Sequence, residues 1–540
     1  MPPEGDGRTA DMTGCPRDDA RSVWDGIWDD GVCDLSGVMR VAELLALDAR
    51  RGDVILLRGD LGAGKTTFAT AFLRGFYGQP DLTVPSPTFT LVERYEGARG
   101  VVHHADLYRL EMPEELAELG LEDARDEGVL LVEWPERAEG AFDEETLEVS
   151  LVDVTEENAE GDGVSRRRLV ISGGERWQER LARLQHIDQF LDGAAQPDER
   201  LSYLQGDASA RRYGLLRDGG GQLRVVMDSP AQVDAGAHDG APAYSRIASL
   251  AETTTSFAAV AIALRRAGIS VPRIDAHDAE FGLMLIEHLG FDDFRVLAGD
   301  AAAVNGAGLR EAYSAAIDVL VHLAQHPPLG GDLFDGLAHR PPFFSRTIFE
   351  AEALLFVDWA LPPDVASGAE SARAAAIASF RDLIASLYDE VDDWTAWVLR
   401  DFHSPNLIWR PHLDGTARVG VIDFQDALVG PAAYDVVSLL QDARLTVPEA
   451  LEAELIARYI TRTGCDATAF RREYAVLGAQ RATKILGIFA RLSRRDGKHG
   501  YLAHVPRIWG YLERNLRHPA LMTLQQWYDQ VVPRDARLAD

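Results

Sequence analysis

The stretch Trp397–Leu440, WVLRDFHSPNLIWRPHLDGTARVGVIDFQDALVGPAAYDVVSLL, decides the fold of most of the chain. Asp401 is followed by four residues and then Asn406, and Asp423 lies seventeen residues further on, at the end of the apolar run Val419–Ile422. This D-x-x-x-x-N … D spacing is that of a kinase-type catalytic loop followed by its metal-binding aspartate. The chemistry explains the residue types. Asp401 would accept the proton of an attacking hydroxyl, while Asn406 and Asp423 would hold Mg²⁺ on the phosphates. A carboxylate serves as the base because a loose transition state asks little basicity of it. The bland alternative makes Asp401 and Asn406 ordinary loop polar residues and Asp423 a strand-end cap. Three matches in one context, with a strand before Asp423, weigh against it.

The chain has 540 residues, too many for one hydrophobic core, so two or three domains are expected. Composition is that of a soluble globular protein, with 46% hydrophobic and 26% charged residues. No apolar run reaches membrane-spanning length, so no membrane partner is expected. The start, MPPEGDGRTADMTG, is polar and acidic, and reads as a disordered tail over residues 1–20 rather than a signal peptide. Three isolated cysteines, Cys15, Cys33 and Cys465, exclude a disulfide framework and fit a cytoplasmic location. The net charge of −32 argues against strong direct nucleic-acid binding, which needs clustered basic side chains. Only three lysines occur, Lys65, Lys484 and Lys498, so arginine carries nearly all the positive charge.

Asp53–Arg58 is a short apolar run that reads as a buried strand. It leads into Gly59-Asp-Leu-Gly62-Ala-Gly64-Lys65-Thr66-Thr67, which matches G-x-x-x-x-G-K-[ST], and then into a helical stretch, Thr66–Phe76. Strand, glycine loop and helix are the context that confirms a P-loop. Backbone N–H groups of the loop would wrap the phosphates of ATP, Lys65 would reach the β/γ-phosphates, and Thr66 would ligate Mg²⁺. Two further apolar runs, Val101–Tyr108 and Gly128–Trp134, carry Asp106 and Glu133 at or near their ends. Carboxylates so placed can hold Mg²⁺ or orient water. Met112–Asp126 reads as an acidic helical stretch with a solvated face, and Leu147–Val154 and Arg168–Ser172 as two strands around an acidic loop.

The order GDLGAGKTT, VPSPTFTLVERY (Val84–Tyr95), HHADLYRL (His103–Leu110) and LVEWPERA (Leu131–Ala138) resembles the TsaE family over roughly residues 35–172. That family is the ATPase subunit of the bacterial machinery that makes threonylcarbamoyladenosine in tRNA. The resemblance implies Lys65 and Thr66 on nucleotide and metal, Asp106 as a metal-side carboxylate and Glu133 as a water-positioning or catalytic acid. It also implies a switch-like loop at Ser86 and Thr88, Trp134 near the nucleotide, and the proteins of the threonylcarbamoyl transferase complex as partners. No lysine follows an asparagine, so a guanine-specifying N-K-x-D motif is absent and ATP is favoured over GTP.

Arg176–Leu191 is helical by period and is read as the start of a second domain, giving boundaries of 21–175 and 176–540. Asp207–Tyr213 (DASARRY) reads as a turn and strand start, and Asp218-Gly-Gly-Gly221 as a hairpin between strands, as in a kinase small lobe. The strand expected to carry a nucleotide-binding lysine, Arg224–Asp228, has none, leaving Arg211, Arg212 and Arg224 as the available cations. Phe257–Ala267 reads as a helix and Phe281–Leu289 as a strand reaching a hinge at Glu287, where backbone groups would meet adenine. Most of the remainder reads as helix, broken at His326–Gly331 and Leu361–Pro363. The fold class expected is an α/β P-loop domain followed by a two-lobed α+β protein-kinase-like domain, with ATP between the lobes.

RDFHSPNLIW, VIDFQDALVGPAAYDVVSLLQDAR and QRATKILGIFARLSRRDGKHGYL resemble the aminoglycoside-phosphotransferase superfamily. Within it, DASARRY and VVMDSP resemble the AmgK group of cell-wall amino-sugar kinases, including the missing lysine. The resemblance implies phosphorylation of the anomeric hydroxyl of N-acetylmuramate or N-acetylglucosamine, with Asp401 as base and Asn406 and Asp423 on Mg²⁺. Asp426, Lys484 and Arg491 are weak sugar-contact candidates, since ion pairing explains them as well. Two alternatives stay open at this level: an aminoglycoside or small amino-alcohol acceptor, and a nucleotide-binding scaffold without catalysis.

Overall fold

The computed structural model describes residues 27–110, 115–116, 119–138, 140–143, 145–154, 166–196, 198–204, 211–231, 244–299, 304, 306–328, 339–361, 370–392, 394–534 and 537. The expected tail, Cys15, Asp207 and the prolines after Leu361 lie outside these residues. Contacts divide the chain into two units, Met1–Gln205 and Gly206–Asp540.

The first unit is built on a mixed sheet. Its strands are β1 (Ile27–Cys33), β2 (Val54–Arg58), β3 (Val92–Gly97), β4 (Gly100–Asp106), β5 (Val129–Glu133), β6 (Leu147–Asp153) and β7 (Arg167–Gly173), in the order β1-β7-β6-β2-β5-β4-β3. The four central strands, β6, β2, β5 and β4, run parallel, and the flanking β3, β7 and β1 pair antiparallel. Strands β2 and β5 are apolar almost throughout because both faces are covered. The helix Leu35–Asp48 is capped by Asp34, whose carboxylate accepts from the N–H of Ser36 and Gly37. Parallel alignment brings Leu57, Glu133 and Asp106 to the same end of the sheet. That end is where ligands bind in α/β folds.

The helix Glu175–Ala194 belongs to this unit, as does the strand β8 (Arg200–Leu204). Trp177 is buried, Arg180 pairs with the buried carboxylates of Asp48 and Asp53, and Arg200 and the Leu201 N–H hold Glu43. Burial pushes the Glu43 carboxyl up to about 7 despite the opposing Arg200 charge. The sequence boundary at residue 175 therefore differs from the contact boundary at Gln205 by one helix and one strand. Helical periodicity located that helix but could not say which core its apolar face joins.

In the second unit, β9 (Arg212–Arg217), β10 (Leu223–Asp228), β11 (Ile274–Asp278) and β12 (Leu283–Glu287) pair antiparallel, β12 lying between β11 and β10, and β10 between β12 and β9. Asp218–Gln222 turns the β9–β10 hairpin, with Arg217 opposite Leu223. Two short pairs follow, β13 (Ala396–Val398) with β16 (Leu428–Gly430), and β14 (Leu407–Trp409) with β15 (Val419–Val421). Most of the other described residues are helical and organised around Ala467–Asp496, which packs on the helices Arg346–Leu355, Ala433–Leu440 and Val505–Asn515. No helix among the described residues is long and apolar enough to cross a membrane.

At Gly487 that long helix passes close to the backbone of Leu355 and Phe356. A Cβ there would lie 2.4 Å from the carbonyl carbon of Leu355 and 2.6 Å from the N of Phe356. In an open helix interior, glycine to alanine stabilises by ~1 kcal/mol. Gly487→Ala is expected to do the opposite, lowering the stability of the second unit by ~1–3 kcal/mol, read as a drop in its denaturant midpoint.

Candidate active sites

The first site forms where β2 gives way to the helix Lys65–Tyr77. Gly59, Gly62 and Gly64 have φ of 140°, 84° and 112°, conformations that side chains resist. A Cβ on Gly59 would sit 2.4 Å from the Leu151 carbonyl oxygen. Lys65 Nζ donates to the carbonyls of Gly59 (2.6 Å) and Asp60 (2.9 Å) and lies 3.6 Å from the centre of the Trp134 ring. Burial lowers the pKa of Lys65, against the pull of Glu133, Glu136 and Asp106. Thr66 Oγ1 donates to Glu133 Oε2 at 3.1 Å, and the other Glu133 oxygen meets His104 Nε2 at 3.0 Å. Asp106 accepts from Thr88 Oγ1 (2.9 Å) and Ser86 Oγ (3.2 Å). Of the two strand-end carboxylates, Glu133 is thus the one on the Thr66 hydroxyl. The helix begins at Lys65, so Thr67 stands in its first turn, where N–H groups lack helical partners.

Two residues here escape motif reading. Arg167 on β7 is buried and donates to the carbonyls of Ala63 (3.0 Å) and Gly62 (3.3 Å), bracing the loop. His104, fully buried, fixes one oxygen of Glu133. Neither has a spacing signal, though His104 lies in the stretch that carries the resemblance.

The second site lies on the β13–β14 and β15–β16 connections. Asn406 Nδ2 donates to the Asp401 carbonyl at 3.0 Å and reaches Asp423 Oδ2 at 3.4 Å. The three motif residues therefore meet in one cluster. The Asp401 and Asp423 side chains are 44% and 42% exposed, so both can meet a ligand. Asp423 has φ of 60°, a left-handed conformation that turns its carboxylate out of the strand line. Gln425 Nε2 donates to Asp423 Oδ1 at 2.9 Å, and Arg211 Nη1 stands 3.5 Å from the same oxygen. Burial pushes the Asp401 carboxyl up, but His403, with Lys484 and Arg481 behind it, outweighs this and holds it below the usual carboxylate range. Asp423 is raised by burial and by the Asp401 charge.

The loop is held from beneath. Arg400, in a left-handed conformation (φ 68°), pairs with Glu352 and donates to the Ala248 carbonyl at 2.8 Å. Lys484 Nζ donates to the same Glu352 oxygen at 2.7 Å, and Gln480 to the other at 3.1 Å. Asp435 accepts the N–H of Leu399 (2.6 Å) and Arg400 (3.0 Å), and burial pushes its carboxyl up to about 7. The hinge candidate Glu287 closes β12; its N–H donates to the Arg273 carbonyl at 2.8 Å, and its carboxylate accepts the Arg273 N–H at 3.2 Å. Of the sugar-contact candidates, Asp426 accepts the Ala251 N–H at 2.5 Å, Lys484 is on Glu352, and Arg491 stacks 5.3 Å from the centre of the Tyr244 ring.

These arrangements define a P-loop nucleotide site and a kinase-like phosphotransferase site on one chain. The family profile "Threonylcarbamoyl adenosine biosynthesis protein TsaE" matches residues 33–161, and "Phosphotransferase enzyme family" matches residues 200–474. The chain is similar to the N-acetylmuramate/N-acetylglucosamine kinase of Caulobacter vibrioides, with 37% identity covering 64% of this chain and 96% of that protein. The Pseudomonas aeruginosa protein of the same name is 31% identical, covering 61% of this chain and 87% of its own length. The tRNA threonylcarbamoyladenosine biosynthesis protein TsaE of Rickettsia felis is 40% identical, covering 22% of this chain and 68% of that protein. The chain belongs to the TsaE family through its first unit and to the phosphotransferase enzyme family through its second. Both are families that use ATP, typically with Mg²⁺.

Burial alone would raise the Glu352 carboxyl, but Lys484 and Arg400 depress it to about 2. Its stabilising contribution is therefore fully present above the ordinary value of 4.5 and is lost as pH falls through about 2. Glu352→Gln is expected to cost ~3–5 kcal/mol at neutral pH, because it leaves the buried Arg400 and the partly buried Lys484 without their counter-charge. It should also flatten the acid limb of stability between pH 4.5 and 2, as followed by urea denaturation across that range.

Proposed function

We propose that the second unit transfers the γ-phosphoryl group of ATP to the anomeric hydroxyl of N-acetylmuramate or N-acetylglucosamine. The observation that carries this reading is the Asn406 amide, which joins the Asp401 carbonyl and the Asp423 carboxylate in one partly exposed cluster. The names of the relatives in Caulobacter and Pseudomonas support the choice of acceptor.

In this reading Asp401 orients the sugar hydroxyl and takes its proton. The hydroxyl oxygen then bonds to phosphorus as the bond to the ADP oxygen breaks. The depressed Asp401 pKa keeps the base ionised at neutral pH and makes it weak, which suits late proton transfer in a loose transition state. Asp423 and the Asn406 oxygen are hard oxygen donors, and two such protein ligands beside phosphate oxygens are what Mg²⁺ prefers. The donor set thus fits that ion, which when bound would neutralise charge on the phosphates. Glu352, Arg400 and Asp435 hold the loop so that Asp401 keeps its aim.

For the first unit, we infer ATP hydrolysis that supports threonylcarbamoyladenosine formation in tRNA together with partner proteins, the whole chain acting in the cytoplasm. Glu133 and Thr66 would sit on the metal side, Lys65 and the loop N–H groups on the phosphates, and Asp106 would tie the Ser86–Thr88 segment to the site. Proteins rather than the chain itself would hold the tRNA, given the net charge of −32.

The test is phosphate transfer by the full-length chain with ATP and Mg²⁺, offering N-acetylmuramate, N-acetylglucosamine, kanamycin and choline. A sugar 1-phosphate should form, and Asp401→Asn should slow it by about 10²–10⁴-fold. Transfer to kanamycin or choline alone would refute the acceptor assignment. Lys65→Ala should remove the basal ATP hydrolysis of the first unit while sugar phosphorylation persists.

A further inference from the structure

A kinase site takes a cation from its small lobe to hold the nucleotide phosphates. Here no lysine lies between Lys65 and Lys484 to supply it. The three arginines around β9 and β10 have different fates. Arg212 donates to Asp228 at 2.8 and 2.6 Å, and Asp228 is 1% exposed, so this pair is a buried tie across the hairpin. Arg224 lies opposite Glu287 on β12 and has a nitrogen 3.7 Å from Asp275 on β11. Successive residues of an extended chain point to opposite faces. Arg211 accordingly departs from the direction of Arg212, and its Nη1 reaches 3.5 Å from Asp423 Oδ1 with the side chain 15% exposed.

We propose that Arg211 replaces the missing strand lysine and binds the α- and β-phosphates of ATP in the second unit. The proposal rests on the kinase reading of that unit but not on the identity of the acceptor. Three features support it. Arg211 stands beside Asp423, a motif residue of the catalytic cluster, whereas Arg212 is held by Asp228 and Arg224 lies near Asp275. The separation of 3.5 Å is longer than a charge-assisted hydrogen bond, so the contact with Asp423 is loose and can yield to a more highly charged partner. The planar fork of a guanidinium matches two phosphate oxygens. The bland alternative is that Arg211 only screens Asp423.

Nucleotide titration of the full-length chain separates the two, in a Lys65→Ala background that silences the P-loop. Fluorescent ATP and ADP analogues and adenosine serve as probes. Arg211→Ala should weaken ATP and ADP by about 10- to 100-fold and adenosine by less than about 2-fold, because the lost contact is to phosphate. Arg211→Lys should bind both nucleotides more tightly than Arg211→Ala, and it provides a charged variant should the alanine form fail to fold. Equal weakening of adenosine and ATP, unchanged ATP affinity, or a phosphate-dependent loss in Arg224→Ala instead would overturn the assignment. If the second unit of the Lys65→Ala chain binds no nucleotide, the kinase reading itself fails. If nucleotide binds but no sugar is phosphorylated, only the acceptor is wrong and the titration still decides on Arg211.

Discussion

Glu352 has no exposed surface and two cations, and the second unit depends on what it holds. One cation, Arg400, immediately precedes Asp401 and carries a left-handed backbone. Such a backbone persists only where its surroundings over-determine it. Glu352 supplies that from the guanidinium side, and Asp435 from the N–H side through Leu399 and Arg400. The other cation, Lys484, ties the same carboxylate to the long helix Ala467–Asp496. The direction of Asp401 is therefore set by groups from three helices, while Asp401 itself stays half open to solvent. Buried ions of this kind are poor sources of net stability. What they supply here is position.

The first unit solves a similar problem with backbone rather than ions. Its glycines take conformations that bring carbonyls within reach of Lys65, and Arg167 clamps the outer turn of the loop from a neighbouring strand. The parallel register of β2, β5 and β4 then sets Glu133 and Asp106 beside it. Loop, cation and carboxylates thus come from separate elements whose alignment is fixed by main-chain pairing.

The sequence was most legible where chemistry and local structure coincide. The P-loop could be read because its glycines, lysine and flanking elements are contiguous. Asp401, Asn406 and Asp423 could be read because one hairpin, β14–β15, separates them. The strands β2, β4, β5, β6, β7, β9, β10 and β12 all stood out as apolar runs or hairpin arms. Unread were β1, an edge strand in which Asp29 and Asp30 leave little apolar pattern, and the helix Leu35–Asp48, although the Asp34 cap and the apolar run after it do carry a signal. Glu352 was invisible for a different reason. It lies 48 residues before Arg400, and only the fold pairs them. Its one signal is a glutamate within the apolar helix IFEAEALLF. The helix Glu175–Ala194 was found by its period, but its partners Asp48 and Asp53 lie more than 120 residues away, which no local pattern reveals.

The scarcity of lysine bears on how this protein's charge can be altered. Lys65 is 4% exposed inside its loop, Lys484 is engaged with Glu352, and Lys498 is exposed. Nearly every other positive charge is a guanidinium, which keeps its proton under all ordinary conditions. Acylation of side-chain amines, a common way for a cell to shift surface charge, therefore meets one open target on this chain. Labelling and crosslinking directed at lysine side chains are confined in the same way, and chemistry aimed at the far more numerous carboxylates is the practical route to the surface.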